Sequence, residues 1–103
     1  MRCFSFLFLL ISCHVSADLS VEYRKYFDVG VALSSKDLAS EESKKQAVDG
    51  FSSWTHEFAM KWSQVEVKPG QYNFEVVDEF VKLGVENNKK IIGHTLVLYK
   101  ANP

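Results

Sequence analysis

His94 sits in the run Lys90-Ile91-Ile92-Gly93-His94-Thr95-Leu96-Val97-Leu98, an imidazole inside an otherwise apolar, strand-like stretch. Two readings fit it. One is a core histidine hydrogen-bonded to a neighbour. The other is a site residue at the C-terminal end of a strand, where parallel α/β sheets place their ligands. Glu57 and Lys61, spaced i, i+4 after a second strand-like run, pose the same choice. As an ion pair on a turn of surface helix they would contribute about 0.3–0.5 kcal/mol. As a clamp on a polyhydroxylated ligand, the carboxylate would accept from two adjacent hydroxyls and the ammonium donate to a third oxygen. Such charge-assisted bonds are the stronger kind. Spacing alone favours the ion pair.

Trp54 and Trp62 flank that pair. Tryptophan faces pack well on the C–H face of a pyranose ring, and they fill cores at least as often. His56, between them in a presumed loop, is open to either role. The sequence carries no glycine loop for phosphate, no His/Cys metal cluster and no Ser/His/Asp arrangement. No cofactor and no metal site is therefore expected.

The elements that must position these residues alternate along the chain. Residues 26–33 (YFDVGVAL) have the β-branched and aromatic content of a buried strand. The polar stretch that follows puts Glu41 and Glu42 before Lys44 and Lys45, the order that suits a helix macrodipole, with Gly50 as terminator. Residues 51–58 form the second strand candidate, and Pro69-Gly70 marks a turn. Asn73 is the expected N-cap of a helix over 74–87, whose Val77, Phe80, Val81 and Gly84 make one apolar stripe. Asn87-Asn88 suit its left-handed close. Residues 90–98 are the third strand. Strand, helix, strand, helix, strand, with strands apolar on both faces, predicts an α/β fold with a parallel sheet.

The first seventeen residues stand apart. Arg2, an apolar core over 4–11 and the small-residue exit Val15-Ser16-Ala17 have the pattern of a secretory signal peptide, with cleavage expected before Asp18. A competing exit, Leu10-Ile11-Ser12-Cys13, fits a bacterial lipidation box and would anchor Cys13 to a membrane. Plain secretion is the favoured reading, which puts the protein outside the cell. Both cysteines, Cys3 and Cys13, lie in this segment, so the exported chain has no disulfide and no thiol nucleophile. Without Arg2, eleven Lys/Arg face thirteen Asp/Glu, a formal charge of −2. The charges are interspersed, and nothing points to nucleic acid or a membrane surface.

Residues 55–97, from THEFAMKW through PGQYNF to IIGHTLV, resemble the N-terminal third of glycoside hydrolase family 10, the endo-β-1,4-xylanases. The similarity runs from about Phe27 to Pro103. The family pattern is T-x-E-N-x-M-K-W, a glycine turn ending in an aromatic and N-F, a helix with an Asn-rich end, and R-G-H-T-L-V-W-H. MKW, PGQYNF and GHTLV at these separations make the match specific.

The resemblance implies about three β/α units of a (β/α)8 TIM barrel over residues 18–103, and a xylan or xylo-oligosaccharide substrate hydrolysed with retention between two glutamates. It also implies that Glu57 and Lys61 hold sugar on the non-reducing side of the cleavage point and that His94 lines the cleavage subsite. Six positions depart from the pattern. Phe58 stands where the family has asparagine. Leu98-Tyr99 replace Trp-His. Lys100-Ala101-Asn102 replace Ser-Gln-Thr before the shared Pro103. In the family, the acid/base glutamate follows the fourth strand and the nucleophile the seventh, beyond the matched region, so no catalytic residue is assigned. Retaining hydrolysis needs both carboxyls, about 5–5.5 Å apart. These 103 residues alone are expected to be inactive, as a truncated member of a xylan-degrading family. The alternative is a non-catalytic carbohydrate-binding or decoy protein that keeps half a sugar site.

Overall fold

The structure is a computed structural model that describes residues 18–100 and 102. The expected signal peptide and its two cysteines lie outside the described residues. Among the described residues no helix is long and apolar enough to cross a membrane. Asp18 opens the fold by capping a short helix α1 (Leu19–Tyr23), its carboxylate accepting from the amides of Ser20 and Val21.

Strand β1 (Gly30–Leu33) begins four residues later than its apolar run suggests. The polar stretch after it splits into two helices, α2 (Ser35–Ala39) and α3 (Glu41–Gly50). Each is started by a serine. Ser34 forms a capping box with Asp37, and Ser40 accepts from the Ser43 amide at 3.3 Å. These two side chains satisfy amides that would otherwise be unpaired at each N-terminus, so one long polar stretch yields two helices. Strand β2 (Ser53–His56) follows.

After β2 comes the one-turn helix α4 (Trp62–Val65) and an antiparallel hairpin, β3 (Glu66–Lys68) and β4 (Gln71–Tyr72). The turn at Pro69-Gly70 is thus a hairpin, with Gly70 at φ 76°, a conformation open to glycine without steric cost. In helix α5 (Glu75–Glu86) the N-cap position falls on Phe74, which makes no side-chain cap, rather than on Asn73. Asn73 still serves the helix start, its Oδ1 accepting from the Glu75 amide at 3.0 Å. Asn88, at φ 54°, closes the helix in the left-handed region as expected.

Strand β5 is shorter than its apolar run: it covers Lys90–Ile92 and stops before His94. The three strands form one parallel sheet in the order β1-β2-β5, with Gly30↔Ser53 to Leu33↔His56 on one side of β2 and Ser53↔Lys90 to Thr55↔Ile92 on the other. Parallel strands and alternating helices are the arrangement expected of the first β/α units of a barrel.

The core lies between the sheet and α3 and α5. Leu33, Ala47, Trp54 and Phe80 are buried, with Val31, Leu38, Phe51, Leu83 and Ile91 packed around them. Trp54 has no exposed surface and its indole N–H donates to the Ala47 carbonyl at 3.1 Å, so the one polar atom of the ring is satisfied inside the core. Gly84 of α5 lets the helix close on β5, since a Cβ there would stand 2.2 Å from Ile91 Cδ1. Lys89 ties the end of α3 to the start of β5, donating to the carbonyls of Val48 and Phe51.

Candidate functional site

The carboxyl ends of the three parallel strands meet at one edge of the sheet, and the sequence-selected residues leave from it. Glu57 follows β2 directly, and its amide donates to Leu33 O at 2.9 Å, one step past the β1–β2 ladder. His94 lies two residues past the end of β5. The register Thr55↔Ile92 brings the segments that carry Glu57 and His94 out of the sheet side by side. Lys61 stands at the N-cap position of α4, with no side-chain cap bond.

Glu57 and His94 are exposed and Lys61 is half-buried. Among the described residues, His94 is not part of the buried core. The His94–Thr95 peptide is cis. The ion pair expected between Glu57 and Lys61 does not form among the described residues. Residues 57–61 turn instead of running as helix, so the i, i+4 geometry is lost. Lys61 Nζ lies 4.2 Å from the centroid of the Phe58 ring.

The two tryptophans part ways. Trp54 is wholly core and unavailable to a ligand. Trp62 is 42% exposed and lines an apolar groove of about 710 Å³ with Met60, Tyr72, Phe74, Thr95 and Leu96. Its indole N–H donates to Glu66, which also accepts from the Gly70 amide at 2.7 Å. These bonds, the Gly70 amide first, hold the Glu66 carboxyl below its ordinary range. They also lock α4 to the hairpin turn.

His56 is the residue that sequence reasoning missed. It is the last residue of β2, not part of a loop, and only 2% exposed. Its Nδ1 accepts from the amides of Phe58 at 3.1 Å and Ala59 at 2.9 Å. A nitrogen that accepts twice carries no proton, so the neutral ring is protonated at Nε2, which faces Ser35 Oγ at 3.3 Å. The ring also meets Phe80 edge to face at 5.1 Å and 84°. Burial pushes its pKa below the ordinary histidine value, partly opposed by the charge of Glu57. The signal was the period of two: Trp54 and His56 share one strand face, and Trp54 is core.

The sequence model of "Glycosyl hydrolase family 10" matches residues 18–103. The chain belongs to that family. It is 32% identical over 107 residues to an endo-1,4-beta-xylanase A of Caldicellulosiruptor saccharolyticus, covering 100% of this chain and 29% of that protein. A solved endo-1,4-beta-xylanase from Caldicellulosiruptor owensensis superposes with a TM-score of 0.77 at 34% identity, covering 84% of this chain and 26% of that one. A solved mutant in complex with xylotriose gives a TM-score of 0.80 at 30% identity, covering 85% and 26%. The chain thus spans about a quarter of the length of the relatives it matches. Within family 10, β1, β2 and β5 are the beginning of a (β/α)8 barrel sheet, and their carboxyl ends form the face where such barrels bind and transform ligands.

Proposed function

We propose that these residues supply the sugar-gripping side of a family 10 xylan site, with Glu57, Lys61 and His94 as its substrate contacts. The observation that carries this reading is the emergence of the Glu57 and His94 segments side by side at the carboxyl edge of the parallel sheet. Solved relatives in complex with xylotriose and with xylobiose support a xylo-oligosaccharide as the ligand class. In this site Glu57 accepts hydroxyl hydrogens, Lys61 donates to a ring substituent oxygen, and His94 lines the position of the sugar next to the scissile bond.

Neither of the two carboxyls of retaining hydrolysis is assigned to this chain. The activity proposed for these residues is therefore sugar contact alone, as part of a site of the kind that breaks β-1,4-glycosidic bonds in xylan. A second reading, a non-catalytic binding protein with half a sugar site, draws on Phe58, which occupies the family's asparagine position and holds the Lys61 ammonium over its ring. Xylotriose titration of the labelled chain tests the contacts. Shifts at Glu57, Lys61 and His94 that vanish in Lys61→Ala are expected, and an unchanged titration in that variant would count against the clamp.

The leader pattern of residues 1–17 supports secretion, with the mature chain starting at Asp18. Intact mass of the exported protein checks it: retention of Met1 contradicts the proposal, and a lipid adduct on Cys13 replaces it with an anchor.

A further inference from the structure

We propose that His56 is the positioning residue of the sugar-contacting loop, its Nδ1 lone pair holding the amides of Phe58 and Ala59 and so fixing the turn between Glu57 and Lys61. The geometry comes from three directions. From below, β2 delivers the ring into the core beside Phe80, whose edge contact sets the ring plane. From α2, Ser35 Oγ takes the Nε2 side at 3.3 Å. Ser35 is itself placed by the adjacent capping box, in which Asp37 accepts from the Ser34 amide and hydroxyl. Above, two consecutive amides converge on the remaining nitrogen at 3.1 and 2.9 Å.

The loop has little else to hold it. Besides Glu57 N–H to Leu33 O and Lys61 N–H to Phe58 O, the amide bonds described for residues 57–60 end on this one nitrogen. The two bonds aim the segment that carries a carboxylate at one end and an ammonium at the other. His56 is too buried to touch a sugar, so its effect on binding passes through the loop.

The arrangement also depends on protonation. A proton on Nδ1 would turn the shared acceptor into a donor facing two N–H groups, and the loop would be released. The groups facing the ring are the Ser35 hydroxyl from α2, the Phe80 edge from α5 and the charge of Glu57 on its own segment. Only Glu57 is charged, and at close to neutral pH it does not outweigh burial.

The consequence for binding rests on the reading of Glu57 and Lys61 as sugar contacts, whereas the anchoring itself does not. The experiment keeps the two apart. In the full chain, 15N NMR of the imidazole reports the tautomer, and amide exchange reports the loop. The expected result is a His56 ring protonated at Nε2 and slow exchange at Phe58 and Ala59. In His56→Phe exchange at those two amides rises about tenfold, the equivalent of one net hydrogen bond, while the Trp54 amide is unaffected. In His56→Asn, whose amide oxygen occupies the place of Nδ1, protection is restored.

Xylotriose affinity should fall about tenfold in His56→Phe and recover in His56→Asn. A ring protonated at Nδ1 overturns the proposal, as does unaltered Phe58 and Ala59 exchange in His56→Phe. If His56→Phe does not fold, the wild-type tautomer and the His56→Asn exchange pattern decide. Expected exchange without any xylotriose shifts would refute the sugar contacts and leave the anchoring standing.

Discussion

Lys61 Nζ stands 4.2 Å from the centroid of the Phe58 ring, at the position where family 10 carries an asparagine. An exposed contact of this kind stabilises by about 0.5–1 kcal/mol. Phe58 is 54% exposed, so the ring serves the ammonium rather than the core. The cation of the proposed clamp therefore rests over an aromatic face, and a sugar hydroxyl would have to compete for it.

Replacing Phe58 by Asn should release Lys61 and restore an amide to the site. Xylotriose affinity is expected to rise about two- to fivefold, the equivalent of the lost contact. Lys61→Ala should remove binding in either background. Calorimetric or NMR titration of the three variants checks this, and a Phe58→Asn protein that binds no better would show that the ring does not compete.

Stability should depend on pH through His56. Its folded pKa lies below the unfolded value of 6.5, so the unfolded chain binds the proton more readily. The neutral ring's contribution is complete above about pH 6.5 and is lost as the pH falls through the folded pKa. Urea midpoints should thus be level above neutrality and decline from pH 6.5 towards 4.5, above the range where the carboxylates titrate, and that part of the decline should be absent in His56→Asn. A decline of equal size in that variant would place the proton elsewhere.

The close approach of α5 to β5 gives a packing test. Alanine at Gly84 gains about 1 kcal/mol of helix propensity, but its Cβ meets Ile91 Cδ1 at 2.2 Å and Cγ1 at 3.0 Å, with Trp54 behind at 3.8 Å. Overpacking of this kind costs about 1–3 kcal/mol, so Gly84→Ala should be destabilising on balance. Ile91→Val removes the nearest carbon. The double variant should be more stable than the sum of the two single changes predicts, and strict additivity in denaturant unfolding would refute the contact.

Ser34 supports α2 and, through Ser35, the far side of His56. Its hydroxyl and amide are the two bonds, hydroxyl first, that hold the Asp37 carboxyl below its ordinary range. Ser34→Ala should cost about 0.5–2 kcal/mol and raise the Asp37 pKa. Carboxyl 13C titration reads the second effect directly, and an unmoved Asp37 would mean the capping box does not persist in solution.

Helix α5 was legible in the sequence because its stripe Val77, Phe80, Val81 and Gly84 keeps one period, and the parallel sheet because short runs apolar on both faces alternate with helices. The strand ends were not. Residues 93–98 stay apolar after the ladder with β2 has stopped at Ile92, because Thr95 and Leu96 line the groove instead of pairing. Apolarity signals burial or a groove equally well, so it does not mark where pairing ends. That Glu57 and His94 lie close to the carboxyl ends of strands was legible in the sequence, whereas the Lys61–Phe58 contact depended on a turn that spacing alone reads as helix. His56 was hidden by its own polarity. Alternation with Trp54 placed it in the core, yet an imidazole in such a run also suggests a loop, and only the converging amides distinguish the two.

Xylotriose added to the 15N-labelled chain, with protein and sugar spectra followed in one tube, asks both parts of the proposal together. The expected result is saturable shifts at Glu57, Lys61 and His94 with the sugar signals unchanged over days. Absence of those shifts would contradict the sugar-gripping site, and the appearance of xylobiose and xylose would contradict sugar contact without cleavage by these residues.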